Sequence, residues 1–136
     1  MNLYIDCEYN DFQGPLISMA LVAEDGREWY GVLPCPHPSP WVAEHVIPIL
    51  GQKPESMESF QIRLEGWLLQ FDSIHVIADW PEDIAHFCKA LITDPGCRIH
   101  TPPLTLEVKR LLEASPSENP HNALEDARGI RKVLMR

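Results

Sequence analysis

Asp6 and Glu8 stand two residues apart in the N-terminal segment NLYIDCEY. On an extended strand alternate side chains share a face, so the two carboxylates point one way and Cys7 points the other. A solvated strand face would accommodate such a pair without any function. This strand, however, is apolar before the pair and precedes a hairpin that would put it at the centre of a sheet. Like charges held there are costly unless a cation compensates them. The chemistry that follows is the binding of a hard divalent cation by carboxylate oxygens.

A second constellation lies near the C-terminal end, where His121 and Asp126 are five apart in HNALEDAR. In one straight helix, at about 100° per residue, they would sit about 140° from each other. Pro120 and the cap-forming Asn122 instead start the helix there, which leaves His121 on the incoming loop and free to reach the same cleft as Asp126. A helix cap beside a solvated acid is the alternative. Between the two constellations, Asp79-Trp80-Pro81-Glu82-Asp83 follows the apolar run SIHVIA. A strand's C-terminal end, where the next helix begins, is where the clefts of α/β sheets open. Asp83 and Asp79 are both candidates at this junction, whereas Glu82 faces differently and reads as solvated.

LYIDCEY, the acidic step before a helix, and HNALEDAR, in that order, resemble the three exonuclease motifs of the DEDDh group. That group belongs to the ribonuclease-H-like superfamily and includes proofreading exonucleases and oligoribonuclease. The match runs from Asp6 to Asp126, nearly the whole chain. With its short length and the WVAEHVIPIL segment after a strand meander, the chain is most similar to the compact bacterial 3′→5′ exoribonucleases. The middle motif departs from the family pattern. Members often show an Asn and then a Phe-Asp four residues on, where this chain has Asp79 and Asp83. By that register Asp83 is the third metal-site acid and Asp79 occupies the Asn position.

The resemblance implies a metal-dependent 3′→5′ exonuclease that releases nucleoside monophosphates from the 3′ end of a single-stranded nucleic acid, RNA favoured over DNA. Two Mg2+ or Mn2+ ions are implied as cofactors. Asp6, Glu8 and Asp126 would bind the ion that activates water, Asp6 would bridge to the second ion, and Asp83 would support that second ion. His121 would be the general base, a role suited to a side chain that titrates near neutrality. The alternative is a catalytically weak nucleic-acid-binding or interaction module that kept the fold. Small members of the group are commonly homodimers, and an apolar surface on WVAEHVIPIL could serve as the contact.

For these groups to meet, the intervening chain must form a scaffold. Residues 2–7 read as a strand, and LISMALVAEDGREWYGVLP as two strands joined by a tight turn at Asp25-Gly26. PCPHPSP forbids regular structure, and a helix then runs over SPWVAEHVIPIL with Ser39 as cap and Pro40 in its first position. A longer helix over SMESFQIRLEGWLLQF places Phe60, Leu64, Trp67, Leu68 and Phe71 on one face. SIHVIA is a buried strand, PEDIAHFCKALI a helix, CRIH a short strand and LTLEVKRLLEA a helix, before SPSENP breaks the pattern ahead of the final helix HNALEDARGIRKVL. The order predicts an α/β fold in a single domain spanning 1–136: a mixed sheet, with a three-stranded antiparallel meander plus parallel strands, flanked by helices. The resemblance makes that sheet ribonuclease-H-like.

A formal charge of −9 excludes a protein that holds nucleic acid by a broad basic surface. It does not exclude an enzyme acting on one, because bound cations reverse the field of the carboxylates that collect them. Arg98, Lys109, Arg110, Arg128, Arg131, Lys132 and Arg136 all lie in the C-terminal part and leave room for a local phosphate-binding rim. Lys109, Arg110, Arg128 and Arg131 are the candidate phosphate contacts, with a solvated helix face as their other explanation. Of the aromatics, Phe60 and Trp67 read as core and Trp80 stays open as a base-stacking residue. Cys7, Cys35, Cys88 and Cys97 show no zinc spacing and read as reduced, mostly buried thiols. His37, His45, His75, His86 and His100 share no metal-binding spacing either. No apolar run is long enough to span a membrane, and the first residues lack the layout of a signal peptide, so a cytoplasmic protein without membrane contact is expected.

Overall fold

The computed structural model describes residues 1–111 and 120–136. Its centre is a five-stranded sheet in which β1 (Asn2–Tyr9) lies between β2 (Leu16–Ala23) and β4 (Ile74–Ala78), with β3 (Glu28–Val32) and β7 (Leu104–Val108) at the edges. β1, β2 and β3 pair antiparallel, whereas β4 runs parallel to β1 and β7 parallel to β4. The mixed sheet expected from the order of elements is therefore present, with the acidic strand at its middle. The β2–β3 turn needs its glycine: Gly26 has φ 98° and the Ala23 N–H donates to the Arg27 carbonyl at 2.8 Å, which closes a three-residue loop.

Strand alternation splits the core into two layers. Leu3, Ile5 and Cys7 of β1 and Met19 and Leu21 of β2 face α2 (Met57–Leu68) and α3 (Pro81–Leu91), where Phe60, Leu64, Leu68 and Phe87 are fully buried. On the opposite side α4 (Ala123–Leu134) lies against β1 and β2. Its Ala123 and Ala127 meet Ala20 and Val22, and its Ile130 meets Tyr4 and Ile77. Small side chains at that contact let the helix approach closely, and they leave Asp6 and Glu8 of the same strand face beside its first turns. The α2 face is the one the 3.6-residue spacing predicts, with Ser56 accepting from the Ser59 N–H as cap.

Three local expectations are corrected. The helix after the proline-rich loop is short: α1 covers Pro40–His45, and only a single 3-10 turn, Ile47–Ile49, follows. Pro48 lacks an N–H and its ring clashes with the carbonyl four residues back, so α-helix cannot continue through it. Val42, Val46 and Leu50 turn inward onto Ile17 and Val32, and Trp41 is left exposed. LTLEV is strand β7 and not helix. Its alternating Leu104, Leu106 and Val108 fit a period of two, and the open edge of β4 supplies a ladder that outweighs the helix-forming tendency of Leu and Glu. Residues 112–114 of that expected helix, and 115–119 of the break after it, lie outside the described residues. CRIH contributes only Cys97–Arg98 (β6), which pairs with Ile92–Asp94 (β5) in a separate exposed ribbon turning at Gly96, φ 74°. All four cysteines are free, but Cys7 alone is buried. No described helix is long and apolar enough to cross a membrane.

Leu64 is fully buried between sheet and helix layer. Leu64→Ala should cost about 2–5 kcal/mol of unfolding free energy in a denaturant titration, whereas truncating the exposed Ile62 on the same helix should cost under about 0.5 kcal/mol.

Candidate metal centre

Because β1, β4 and β7 run parallel, their C-terminal ends share one edge of the sheet. Asp6 and Glu8 lie towards the end of β1, Asp79 follows the last residue of β4, and Asp83 sits in the first turn of α3. Pairing between β1 and β4 stops at Tyr4–Ile77, which leaves the Cys7 N–H beyond the reach of β4. Asp83 fills that gap, its Oδ1 accepting from the Cys7 N–H at 3.3 Å, and only 3% of the residue stays exposed. Asp126 arrives from the other face on the first turn of α4.

The result is two groups of three carboxylates. Asp6, Glu8 and Asp126 present oxygens within 4.8 Å of one another, and so do Asp6, Asp79 and Asp83. Asp6 belongs to both. Its Oδ2 is enclosed and has no hydrogen-bond partner among the described residues. Burial pushes the Asp6 carboxyl well above its ordinary range, and the charges of Asp83, Glu8, Asp126 and Asp79 push it further. Glu8 is pushed up to about 9, first by burial and then by Asp126 and Asp83. Asp83 rises to about 8, by burial and by Asp79, against the opposing hydrogen bond from Cys7. Burial also raises Asp79.

A set of hard carboxylate oxygens, without thiol or imidazole, suits Mg2+ or Mn2+ better than Zn2+. The orphaned Oδ2 of Asp6 fits that use, since a buried acceptor without a donor is costly unless a cation satisfies it. Asp6, Glu8, Asp83 and Asp126, the four acids predicted from the sequence, are thus brought together. Asp79, offered there as the alternative to Asp83, joins them, so the two share the site.

His121 reaches the site by its backbone. It precedes the Asn122 cap at φ 72°, in the left-handed region that few non-glycine residues adopt, and its N–H donates to Asp126 Oδ2 at 3.1 Å. Asn122 holds the same loop from both sides, accepting from the Glu125 N–H and donating to the Ile49 carbonyl at 2.8 Å. The exposed His121 ring lies edge-on to Trp41 at 4.9 Å and 6.3 Å from the His45 ring. It is not one of the side chains grouped around Asp6.

Beside Glu8 a cleft of about 420 Å³ opens, walled by Tyr9, Phe12, Trp41, Trp80 and Glu82. Phe12 is 80% exposed, and Trp41 and Trp80 are nearly half exposed. Phe12 and Trp41 carry no motif, and the sequence reading missed them; the one available signal was an aromatic residue set among the polar residues of the 10–14 loop. Phe60 and Trp67 pack in or against the core as expected.

The chain matches no family model, and no curated protein matches it at a significant level.

The raised carboxyls tie stability to pH when divalent cations are chelated. Between their ordinary values of 3.8 and 4.5 and the raised values near 8 and 9, the native state binds more protons than the unfolded chain. Stability must therefore fall as pH rises through that window. A melting series in chelator should show Tm dropping by roughly 5 °C or more from pH 5 to pH 9, with Mn2+ restoring it. A flat or rising Tm would contradict the clustering of these acids.

Proposed function

We propose that this chain is a metal-dependent 3′→5′ exonuclease of the DEDDh kind, built on a ribonuclease-H-like fold and acting on single-stranded nucleic acid, with RNA favoured. The observation that carries the reading is the pair of three-carboxylate groups sharing Asp6. It is supported by the sheet, whose antiparallel meander continues into two parallel strands, and by the position of His121 at the head of α4, joined through its backbone to Asp126. The aromatic cleft beside Glu8 suits a substrate with stacking bases.

In this reading Asp6, Glu8 and Asp126 would hold one cation, and Asp6, Asp83 and Asp79 would hold the second. When bound, the two ions supply charge neutralisation at the scissile phosphate and a water of lowered pKa. The chain itself positions the strand and moves the proton. Phe12, Trp41 and Trp80 stack on the terminal bases and exclude solvent from the cleft, which strengthens electrostatic interactions within it. The imidazole of His121 takes one proton of the attacking water as its oxygen bonds to phosphorus; the bond from phosphorus to the 3′ oxygen breaks, that oxygen takes a proton from solvent, and a nucleoside monophosphate leaves. A loop fixed by Asp126 and Asn122 leaves that ring free to turn without disturbing the acids.

A 5′-labelled single-stranded oligonucleotide in Mn2+ should shorten stepwise from its 3′ end, and a blocked 3′ terminus should protect it. Internal cuts instead would reassign the activity to an endonuclease. His121→Ala should lower kcat by about 10²–10⁴ with Tm close to wild type, and Asp6→Ala should abolish turnover without lowering Tm in chelator, since it relieves the repulsion among the acids. Retained activity in a clean Asp6→Ala preparation would overturn the proposal.

A further inference from the structure

A polyanionic strand approaching five carboxylates on a chain of charge −9 meets net repulsion. Bound ions would offset the acids themselves, but the rest of the chain stays acidic, so a protein cation beside the cleft would aid the strand's approach. The surroundings of the C-terminal cations separate them. Arg128 is forked onto Glu28 and Glu125, and Arg131 donates to the carbonyls of Ala23 and Glu24 at the β2–β3 turn. Both are committed to the scaffold.

Arg110 is placed differently. The Lys109 N–H donates to the Ala78 carbonyl at 2.7 Å, which extends the β4–β7 ladder past Val108 and fixes the chain direction there. Arg110 therefore emerges at the sheet edge from which Asp79 follows β4. Its guanidinium carbon lies 4.9 Å over the Trp80 ring, and that ring is held by its indole N–H donating to Glu82 Oε1 at 3.2 Å. Trp80 also walls the cleft beside Glu8. Among the described residues no carboxylate forms an ion pair with Arg110, and its side chain is exposed. The positive charge reaches the acids: Arg110 draws the Asp79 carboxyl down against the burial that raises it.

We propose that Arg110, stacked on Trp80, is the residue that grips a backbone phosphate of the nucleic-acid strand at the mouth of the cleft. The inference rests on the nuclease reading of the acid site. A planar guanidinium matches two phosphate oxygens with parallel N–H donors, and an aromatic platform restricts the fork before the ligand arrives, so less freedom is lost on binding. Trp80 is the positioning partner in this pair. Lysine at 110 would keep the charge and lose both the fork and the stack.

The test uses the full chain and a labelled single-stranded oligouridylate of about ten nucleotides. Binding is read by fluorescence anisotropy in Ca2+ over a salt series, and kcat and KM are read in Mn2+. Arg110→Gln should raise Kd and KM on the order of tenfold, leave kcat within about twofold, and shrink the slope of log affinity against log salt by about 0.7. Arg110→Lys should keep the salt slope and recover only part of the affinity. Trp80→Leu should weaken binding, and the Arg110→Gln/Trp80→Leu double variant should lose less than the sum of the single losses. An unchanged Kd and salt slope in Arg110→Gln, with wild-type protein binding and degrading the strand, overturns the assignment and leaves the nuclease reading standing. Wild-type protein that neither binds nor degrades the strand overturns that reading, and the assignment with it.

Discussion

Repulsion among Asp6, Glu8, Asp79, Asp83 and Asp126 is the constraint around which this molecule is arranged. The carboxyls of Asp6, Glu8, Asp79 and Asp83 are all raised, and burial is the first cause for each of them. Such a cluster costs folding free energy at neutral pH unless protons or cations occupy it, because a buried charge loses its hydration and gains only like-charged neighbours. The scaffold must therefore be stable enough elsewhere to hold the acids together. The apolar layer under α2 and α3 does this, with Leu3, Ile5, Phe60, Leu64 and Phe87 all closed off from solvent. The central strand serves both ends at once: its Leu3, Ile5 and Cys7 face the core while Asp6 and Glu8 face the cluster.

Three backbone devices fix four of the five acids. Asp6 and Glu8 are set by the register of β1 against β2, Asp83 by the unclaimed N–H of Cys7, and Asp126 by the His121 N–H. These backbone contacts place the acids before any ion is bound, the pre-organisation that a cation-binding site needs, and Glu8 and Asp126 also hydrogen-bond to each other. His121 differs, since its backbone is held and its ring rests on Trp41. Under the proposed reading, a base that turns on a fixed hinge serves successive rounds of hydrolysis on a moving 3′ end.

Much of this was legible in the sequence where short-range pattern and long-range packing agree. The two-residue spacing of Asp6 and Glu8 gave their shared face, the Ser56 start and 3.6-residue spacing gave α2, and Asn122 gave the start of α4 with His121 outside it. The expectations failed where tertiary pairing decides. LTLEV carries both helix formers and an alternating pattern, and only the free edge of β4 selects the strand. Register favoured Asp83 over Asp79, but the junction offers both, one just after β4 and the other in the first turn of α3, and the structure brings both carboxylates within 4.8 Å of Asp6. The cleft walls were the least legible part. Phe12 lies on a loop with Asp11 and Gln13 at positive φ, and no periodicity describes where such a loop points an aromatic ring.

Under the proposed reading Asp6 serves two cation sites at once, and calorimetric titration with Mn2+ reads that most directly. Wild-type protein should bind two ions with release of protons, Glu8→Gln and Asp83→Asn should each weaken one of them, and Asp6→Asn should weaken both. Binding of Mn2+ that is absent, or that Asp6→Asn leaves unchanged, would contradict a shared role for Asp6.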